Sequence, residues 1–205
     1  MPSPRLDPRL KRAKRSSHDA SFANLVSGPR TASLIRESIS VAVAMIIVRA
    51  LSERSWTEWR EMRLAALAES PPAFGSTLAE WTGPGDLEER WRNRLRIVPL
   101  NLFAELAGRA VGMASATAPV GDEVELISMW VAPEVRGHGV GDALVEAVVS
   151  WARTQLVARV GLDVRESNHA AIALYARNAF VDAGWAGEPT DAFAERRMVR
   201  ELGLA

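Results

Sequence analysis

The apolar positions of this chain follow two rhythms, and the switches between them mark out a mixed α/β domain. Ile46–Leu51 is a short apolar run of strand length, and Ser55 or Thr57 can cap a helix running to about Ala68. Trp59, Met62, Ala66 and Leu67 fall on one side of that helix. Ser70-Pro71-Pro72 stops it. After Gly83-Pro84-Gly85, a second helical stretch with an acidic start covers Asp86 to Arg96. Leu100–Leu106 and Val111–Thr117, separated by Ala107-Gly108-Arg109, read as a β-hairpin. Val120-Gly121-Asp122 then turns the chain into a longer strand, Glu123–Val131. Pro133 and a glycine-rich turn lead to a helix from Val140 to about Gln155, with Leu144, Val145, Val148 and Trp151 on its apolar face. Val160–Val164 is a strand, Asn168 opens a helix to Arg177, and Val181–Trp185 with Phe193–Arg200 closes the sheet. The order is strand, two helices, three antiparallel strands, helix, strand, helix, two strands, with no fixed-period repeat.

Residues 1–44 depart from this pattern. Pro2, Pro4, Pro8 and Pro29 interrupt them, and Lys11-Arg12-Ala13-Lys14-Arg15 is a basic cluster. The reading is a flexible basic tail ahead of one domain at 45–205, with Met45 as a natural strand-first start. The formal net charge is zero, but residues 1–44 carry eight Arg/Lys against Asp7, Asp19 and Glu37, a balance of +5, which leaves −5 for the rest. A mildly acidic domain suits a cationic substrate and argues against nucleic acid as a partner. The longest apolar run, Ile39 to Val48, is about half of the ~20 residues that a membrane helix needs. No membrane association is expected, and a cytoplasmic location is the simplest reading. The absence of cysteine excludes a disulfide framework and a thiol nucleophile, and His18, His138 and His169 match no metal-ligand spacing, so no metal is expected.

The chemistry concentrates in Val131-Ala132-Pro133-Glu134-Val135-Arg136-Gly137-His138-Gly139-Val140-Gly141, between an apolar strand and an amphipathic helix. Glycines at alternate positions let the backbone turn sharply and approach a ligand. The free N–H groups of the first helical turn, at the positive end of the helix dipole, favour a phosphate, and Arg136 adds a permanent charge. There is no Gly-Lys-Ser/Thr, which removes a P-loop enzyme. A dinucleotide fingerprint would need a glycine where Asp142 stands, and hairpins upstream oppose a doubly wound sheet.

Arg136-Gly137-His138-Gly139-Val140-Gly141 resembles the Arg/Gln-x-x-Gly-x-Gly/Ala signature of the GNAT superfamily of acyl-CoA N-acyltransferases. Val164 to Tyr175 is similar to that family's second motif, and the resemblance runs from about Ile46 to Leu202. It implies an α/β (α+β) domain with a mixed, mostly antiparallel sheet of about seven strands and four helices packed around it. It further implies an acetyl-CoA-dependent N-acetyltransferase acting on a small-molecule or peptide amine by direct attack in a ternary complex. The alternative is a non-catalytic acyl-CoA sensor of the same fold. Both monomer and homodimer stay open, dimers being common for this fold.

Position by position, the resemblance implies that Met129, Trp130 and Val131 pair with the pantetheine arm. Amides from Arg136, Gly137, His138, Gly139, Val140 and Gly141 hold the pyrophosphate, Asn168 contacts the cosubstrate, and Tyr175 protonates the departing thiolate. An alkylammonium has a pKa near ~10.4, so attack requires a carboxylate or a water chain to take its proton. Glu125, with the side-chain parity of Ile127, Met129 and Val131, and Asp163 are the two candidates, Glu125 being preferred. Phe74, Trp81 and the Gly187–Asp191 loop are expected to shape the acceptor pocket. The family usually carries glycine where Ala179 stands, and Asn178 is expected to supply the left-handed helix cap instead.

Overall fold

The computed structural model describes residues 45–188 and 194–203. The expected basic tail, and most of the Gly187–Asp191 loop, lie outside the described residues. Seven strands form one sheet in the order β1-β2-β3-β4-β5-β7-β6. They are β1 (Ile47–Ala50), β2 (Leu100–Leu106), β3 (Arg109–Ala116), β4 (Glu123–Val131), β5 (Arg159–Arg165), β6 (Val181–Trp185) and β7 (Glu195–Glu201). The helices are α1 (Trp56–Glu69), α2 (Glu88–Ile97), α3 (Val140–Thr154) and α4 (His169–Arg177). Every neighbouring pair is antiparallel except β4 and β5, so a doubly wound parallel sheet is excluded.

Local chemistry accounts for the elements. Ala107 (φ 50°) and Gly108 (φ 76°) both take the left-handed conformation that a two-residue hairpin between twisted strands requires. Gly139 opens α3 at φ 83°, and Asn168 caps α4 by accepting from the Ala171 N–H at 3.1 Å. The Ser55 side chain makes no capping bond to α1; Ser52 instead caps a short 3-10 turn just before it.

The sheet separates two helical layers. Gly112 of β3 lets α3 approach closely, since a Cβ there would lie 3.2 Å from side-chain carbons of Leu144 and Val140. On the opposite face, Trp59 of α1 stacks on Phe103 of β2 at 6.0 Å. There Arg94 of α2 reaches Asn101 Oδ1 at 3.0 Å. Leu144, Val145, Val148, Val149 and Ala152 bury the inner side of α3. Trp151, expected on that side, is only half-buried because Val149 and Ala152 hold the inner positions.

Two sequence expectations are corrected by backbone geometry. β4 carries a bulge at Ser128, whose φ is +56°, and the β3 register shifts across it: Ser115 faces Ile127, whereas Met113 faces Trp130. Partners across a ladder share a face, so the extra residue inverts side-chain parity. Glu125 and Ile127 therefore share a face with Trp130, not with Val131. At the end of α4, Asn178 has φ −95° and Ala179 takes the left-handed conformation at φ 63°. The Phe180 and Ala179 N–H groups bond the Tyr175 and Ala176 carbonyls at 3.0 and 3.1 Å, which is a Schellman motif.

Ala179→Gly removes a Cβ from a left-handed position and should stabilise the domain by about 0.5–1 kcal/mol, read as a higher urea midpoint. Leu144→Ala, at a fully buried position, should destabilise it by about 2–5 kcal/mol.

Candidate functional site

The site starts where β4 and β5 part. They are paired only through Glu123 and Arg159, Val124 and Val160, and Glu125 and Gly161. Beyond those positions, β5 keeps β7 as partner and β4 keeps only β3. A cavity of about 510 Å³ opens between them. Leu126 to Val131 form one wall, Val164 and Arg165 the other. Gly137, Gly139, Gly141 and Asn168 lie toward α3 and α4, while Ser70, Ala73 and Phe74 close it from the α1 layer. The cavity thus runs through the sheet, joining its two faces.

At the α3 end the first intrahelical bond is Ala143 N–H to Gly139 O, at 3.0 Å. The N–H groups of Val140, Gly141 and Asp142 precede it and have no intrahelical acceptor, an arrangement suited to a phosphate. Gly137 and Gly139 are both left-handed, at φ 81° and 83°. A Cβ on Gly141 would press on Leu174 at 3.0 Å. The cradle therefore fits the pyrophosphate of acetyl-CoA, and the open edge of β4 fits an amide-bearing chain laid beside it.

The residues expected to bind the cosubstrate are distributed unevenly. Met129, Trp130, Val131, Arg136, Gly137, Gly139, Gly141 and Asn168 line the cavity. Val140 is packed in the core, and His138 is exposed with Nδ1 3.0 Å from its neighbour Arg136 O. The Arg136 guanidinium is tied down, donating to Val131 O at 2.9 Å and to Glu69 Oε2 at 2.7 Å. The Trp130 indole N–H donates to the same Glu69 oxygen at 3.0 Å. These bonds, Arg136 first, then Ser70 and Trp130, hold the Glu69 carboxyl down at about 2. The pattern along the chain gave Glu69 no sign of this role; its only signal was its place at the end of α1, just before the Pro71-Pro72 stop.

Tyr175 lines the cavity and is only 6% exposed. The Schellman turn fixes its carbonyl, and Phe180 packs against its ring at 5.8 Å. Burial raises its phenol well above the ordinary value, so the hydroxyl keeps its proton throughout the working range. Glu125 and Asp163 are brought together by Arg197, whose Nη1 lies 3.4 Å from Glu125 and 2.9 Å from Asp163. Arg197 also pairs with Glu123. Neither candidate base lines the cavity, although each adjoins a residue that does, Leu126 and Val164. Burial raises the Glu125 carboxyl, Arg197 pulls it down, and Asp163 and Glu123 push it up again.

Phe74 lines the cavity beneath the Arg63 guanidinium, which sits 4.3 Å from its ring centre. Trp81 does not reach it. It is packed on Trp91 at 4.4 Å and under Arg90 at 4.0 Å, which removes it from the acceptor wall. Among the described residues no cluster of His, Asp or Glu is placed to hold a metal ion, and no helix is long and apolar enough to cross a membrane.

A mostly antiparallel sheet split beside its single parallel pair, with a glycine-rich helix start at the split, defines the class: an N-acyltransferase-type α/β domain. The model of the acetyltransferase (GNAT) family matches residues 49–180, and the chain belongs to that family. Over 67 residues it is 40% identical to the [ribosomal protein bS18]-alanine N-acetyltransferase of Escherichia coli K12, covering 33% of this chain and 45% of that relative. The matched segment thus spans less than half the relative's length. Among solved structures, a GNAT acetyltransferase from Streptococcus pneumoniae superposes with a TM-score of 0.62 at 19% identity, over 78% of this chain and all (100%) of that one. A putative acetyltransferase from Salmonella typhimurium with acetyl-CoA gives 0.62 at 18% identity, over 78% and 96% of the two chains. These two likenesses establish the fold.

The Glu69 carboxyl is depressed in the fold, so its stabilisation is complete above its ordinary 4.5 and is lost as pH falls toward 2. Glu69→Gln should cost up to about 1 kcal/mol at neutral pH, the pair being part-exposed. Urea unfolding of variant and wild type should converge as the pH is lowered through that window.

Proposed function

We propose that this chain transfers the acetyl group of acetyl-CoA to a primary amine in a ternary complex. The observation that carries the reading is the split between β4 and β5, which puts a phosphate-suited helix start and a buried phenol on one cavity. The α3 amides and the free edge of β4 bind and orient the cosubstrate, as they do in the reading from sequence. A backbone N–H of β4 meets the oxyanion in this reading, near the Ser128 bulge that interrupts the β3 ladder. The amine nitrogen bonds to the acetyl carbon, the C–S bond breaks, and the thiolate receives its proton at sulfur from the Tyr175 hydroxyl. The proton that the attacking nitrogen gives up on becoming an amide returns through water to the phenol oxygen.

The ammonium proton leaves earlier. Glu125 takes it, reached from the cavity through water, since its carboxylate lies on the acceptor face just outside the lining. A raised carboxyl is a stronger base than an ordinary one, and the Arg197 contact favours its ionised form. Asp163 is the second candidate on the same arginine. The relative's activity on a ribosomal-protein alanine supports an amine acceptor in general terms. The engagement of both carboxylates by Arg197 favours one rival, a sensor that binds acetyl-CoA without turnover.

Calorimetric titration of acetyl-CoA, followed by thiol release with a panel of amines, separates the two readings. Acetyl-CoA binding with amine-dependent release supports transfer, binding without release supports the sensor, and absence of binding sinks both. Tyr175→Phe should lower turnover by about 10²-fold or more while leaving acetyl-CoA affinity unchanged. Glu125 must be ionised to act, so the wild-type rate should fall as pH drops through its raised value, which lies above 4.5. Glu125→Gln should abolish that limb of the profile and Asp163→Asn should keep it; the reverse outcome would transfer the role to Asp163.

A further inference from the structure

The α1 and α2 layer holds two arginines, Arg63 buried and Arg94 half-buried, that have no carboxylate partner among the described residues. Arg63 is 8% exposed. Its Nη2 donates to Ser76 Oγ at 2.9 Å, and its Nη1 is buried with no acceptor. Arg94 donates to neutral oxygens: Asn101 Oδ1 at 3.0 Å, Ser128 Oγ at 3.2 Å and, more weakly, Ser115 Oγ at 3.5 Å. Trp59 precedes Arg63 by one helical turn on α1 and shares its face. Its indole N–H is also buried without an acceptor, and the Arg94 guanidinium lies 5.4 Å from its ring centre. Two buried donors on this face of α1, Arg63 Nη1 and the Trp59 indole N–H, therefore have no acceptor among the described residues, and the Arg94 guanidinium beside them meets only neutral oxygens. Buried polar groups are almost always satisfied, and buried charges are almost always paired.

Electrostatics agrees with the geometry. Burial brings the Arg63 guanidinium down to about 10, with repulsion from Arg94 adding to it, and burial brings Arg94 down to about 10 as well. Two like charges facing one another in a poorly solvated layer make a site that only an anion relieves. The layer adjoins the cavity through two of its lining residues, Phe74 under Arg63 and Ser128 beside Arg94. Both lie on the sheet face of Glu125, opposite the glycine-rich start of α3. The phosphates of acetyl-CoA are thus provided for elsewhere, and this anion belongs to the other substrate.

Resting on the acetyl-transfer reading above, we infer that the acceptor is an amine carrying a carboxylate, which Arg63 and Arg94 receive while its nitrogen faces the acetyl group. The planar guanidinium fork matches a carboxylate in two-point contact. Phe74 stands between the cavity and the Arg63 guanidinium. The same chemistry comes from two sources, a free amino acid or a peptide with an acidic residue beside its N-terminus.

The test is a set of matched acceptors. Aminoalkanoates are compared with their amides, and tripeptides carrying Asp or Glu at the second position with their Asn or Gln counterparts. Thiol release with wild-type protein should favour the carboxylate member of a pair by about 10-fold or more in kcat/KM. The arm showing the larger ratio identifies the source. Arg63→Gln, and separately Arg94→Gln, should raise KM for the carboxylate about 10–100-fold more than for its amide. Unchanged acetyl-CoA affinity by calorimetry reports that each variant is folded. Without turnover, N-acetylated amino carboxylates should raise Tm of wild type in the presence of CoA, and their amides should not. Equal rates within pairs, a preference for cationic amines, or equal losses on both members in Arg63→Gln overturns the inference while acetyl transfer stands. Failure of wild type to bind acetyl-CoA overturns the reading beneath it, and the inference with it.

Discussion

Backbone hydrogen bonding at the β4 edge is the constraint on which the rest of the site depends. A strand buried in a sheet must have its N–H and C=O groups satisfied on both sides, yet β4 loses its β5 partner after three residue pairs. The Ser128 bulge bends β4 where the gap widens, and the glycine-rich turn brings α3 to the mouth of the gap. The result is an edge that is unpaired but enclosed, unlike the exposed edges that sheets normally blunt. A ligand with alternating amide groups completes such an edge, and this makes the cavity a binding site as well as a void. The short pairing, the bulge and the left-handed glycines are one device, because each is needed to keep the opening narrow and lined with backbone.

The two faces of that opening use different electrostatics. Toward α3 the positive potential comes from backbone amides. The one acidic side chain there, Asp142, is neutralised by Arg177 at 2.7 Å and by Asn178. Toward α1 and α2 the charges are side chains: Arg63, Arg94 and, farther along the sheet, Arg197 among three carboxylates. The net acidity of the domain therefore says little about its acceptor. Most acidic residues are spent in pairs with surface arginines, whereas Arg63 and Arg94, in the layer beside the cavity, meet neutral oxygens. Local burial outweighs net charge because a solvated charge is screened within about 10 Å and a buried one is not.

The element order was legible in the sequence because periodicity depends only on local neighbours. Leu100–Leu106, Glu123–Val131 and Val181–Trp185 were read with their observed bounds, since turns with Gly or Pro frame them. The parity of β4 was not legible. A bulge is set by the register against β3, and nothing around Ser128 in the chain marks it. The helix cap at 178–179 was misplaced because Asn is the better left-handed residue in general, while here the Asn178 side chain is held by Asp142 and Leu174 O. Trp81, aromatic and loop-borne, reads as a pocket residue, but a tilted ring contact with Trp91 claims it. Arg63 carries a readable signal. It stands between Trp59 and Ala66–Leu67 on the apolar side of α1, where a charged residue asks for a partner.

Tyr175 poses the sharper chemical question, because burial makes a phenol a weaker acid just where an acid is wanted. The difficulty eases once the proton is considered together with the charge it meets. A thiol near ~8.5 is a better acid than even an unperturbed phenol near ~10, so a free proton jump from tyrosine to thiolate runs uphill. Before the C–S bond breaks, however, the sulfur bears little charge and the phenol has nothing to lose. In the proposed transfer, negative charge gathers on sulfur as the C–S bond breaks, and a hydrogen bond from the Tyr175 hydroxyl strengthens in step. What the fold must supply is then position and a retained proton, not acidity. Burial supplies the second. The Schellman turn through Ala179, with Phe180 against the ring, supplies the first.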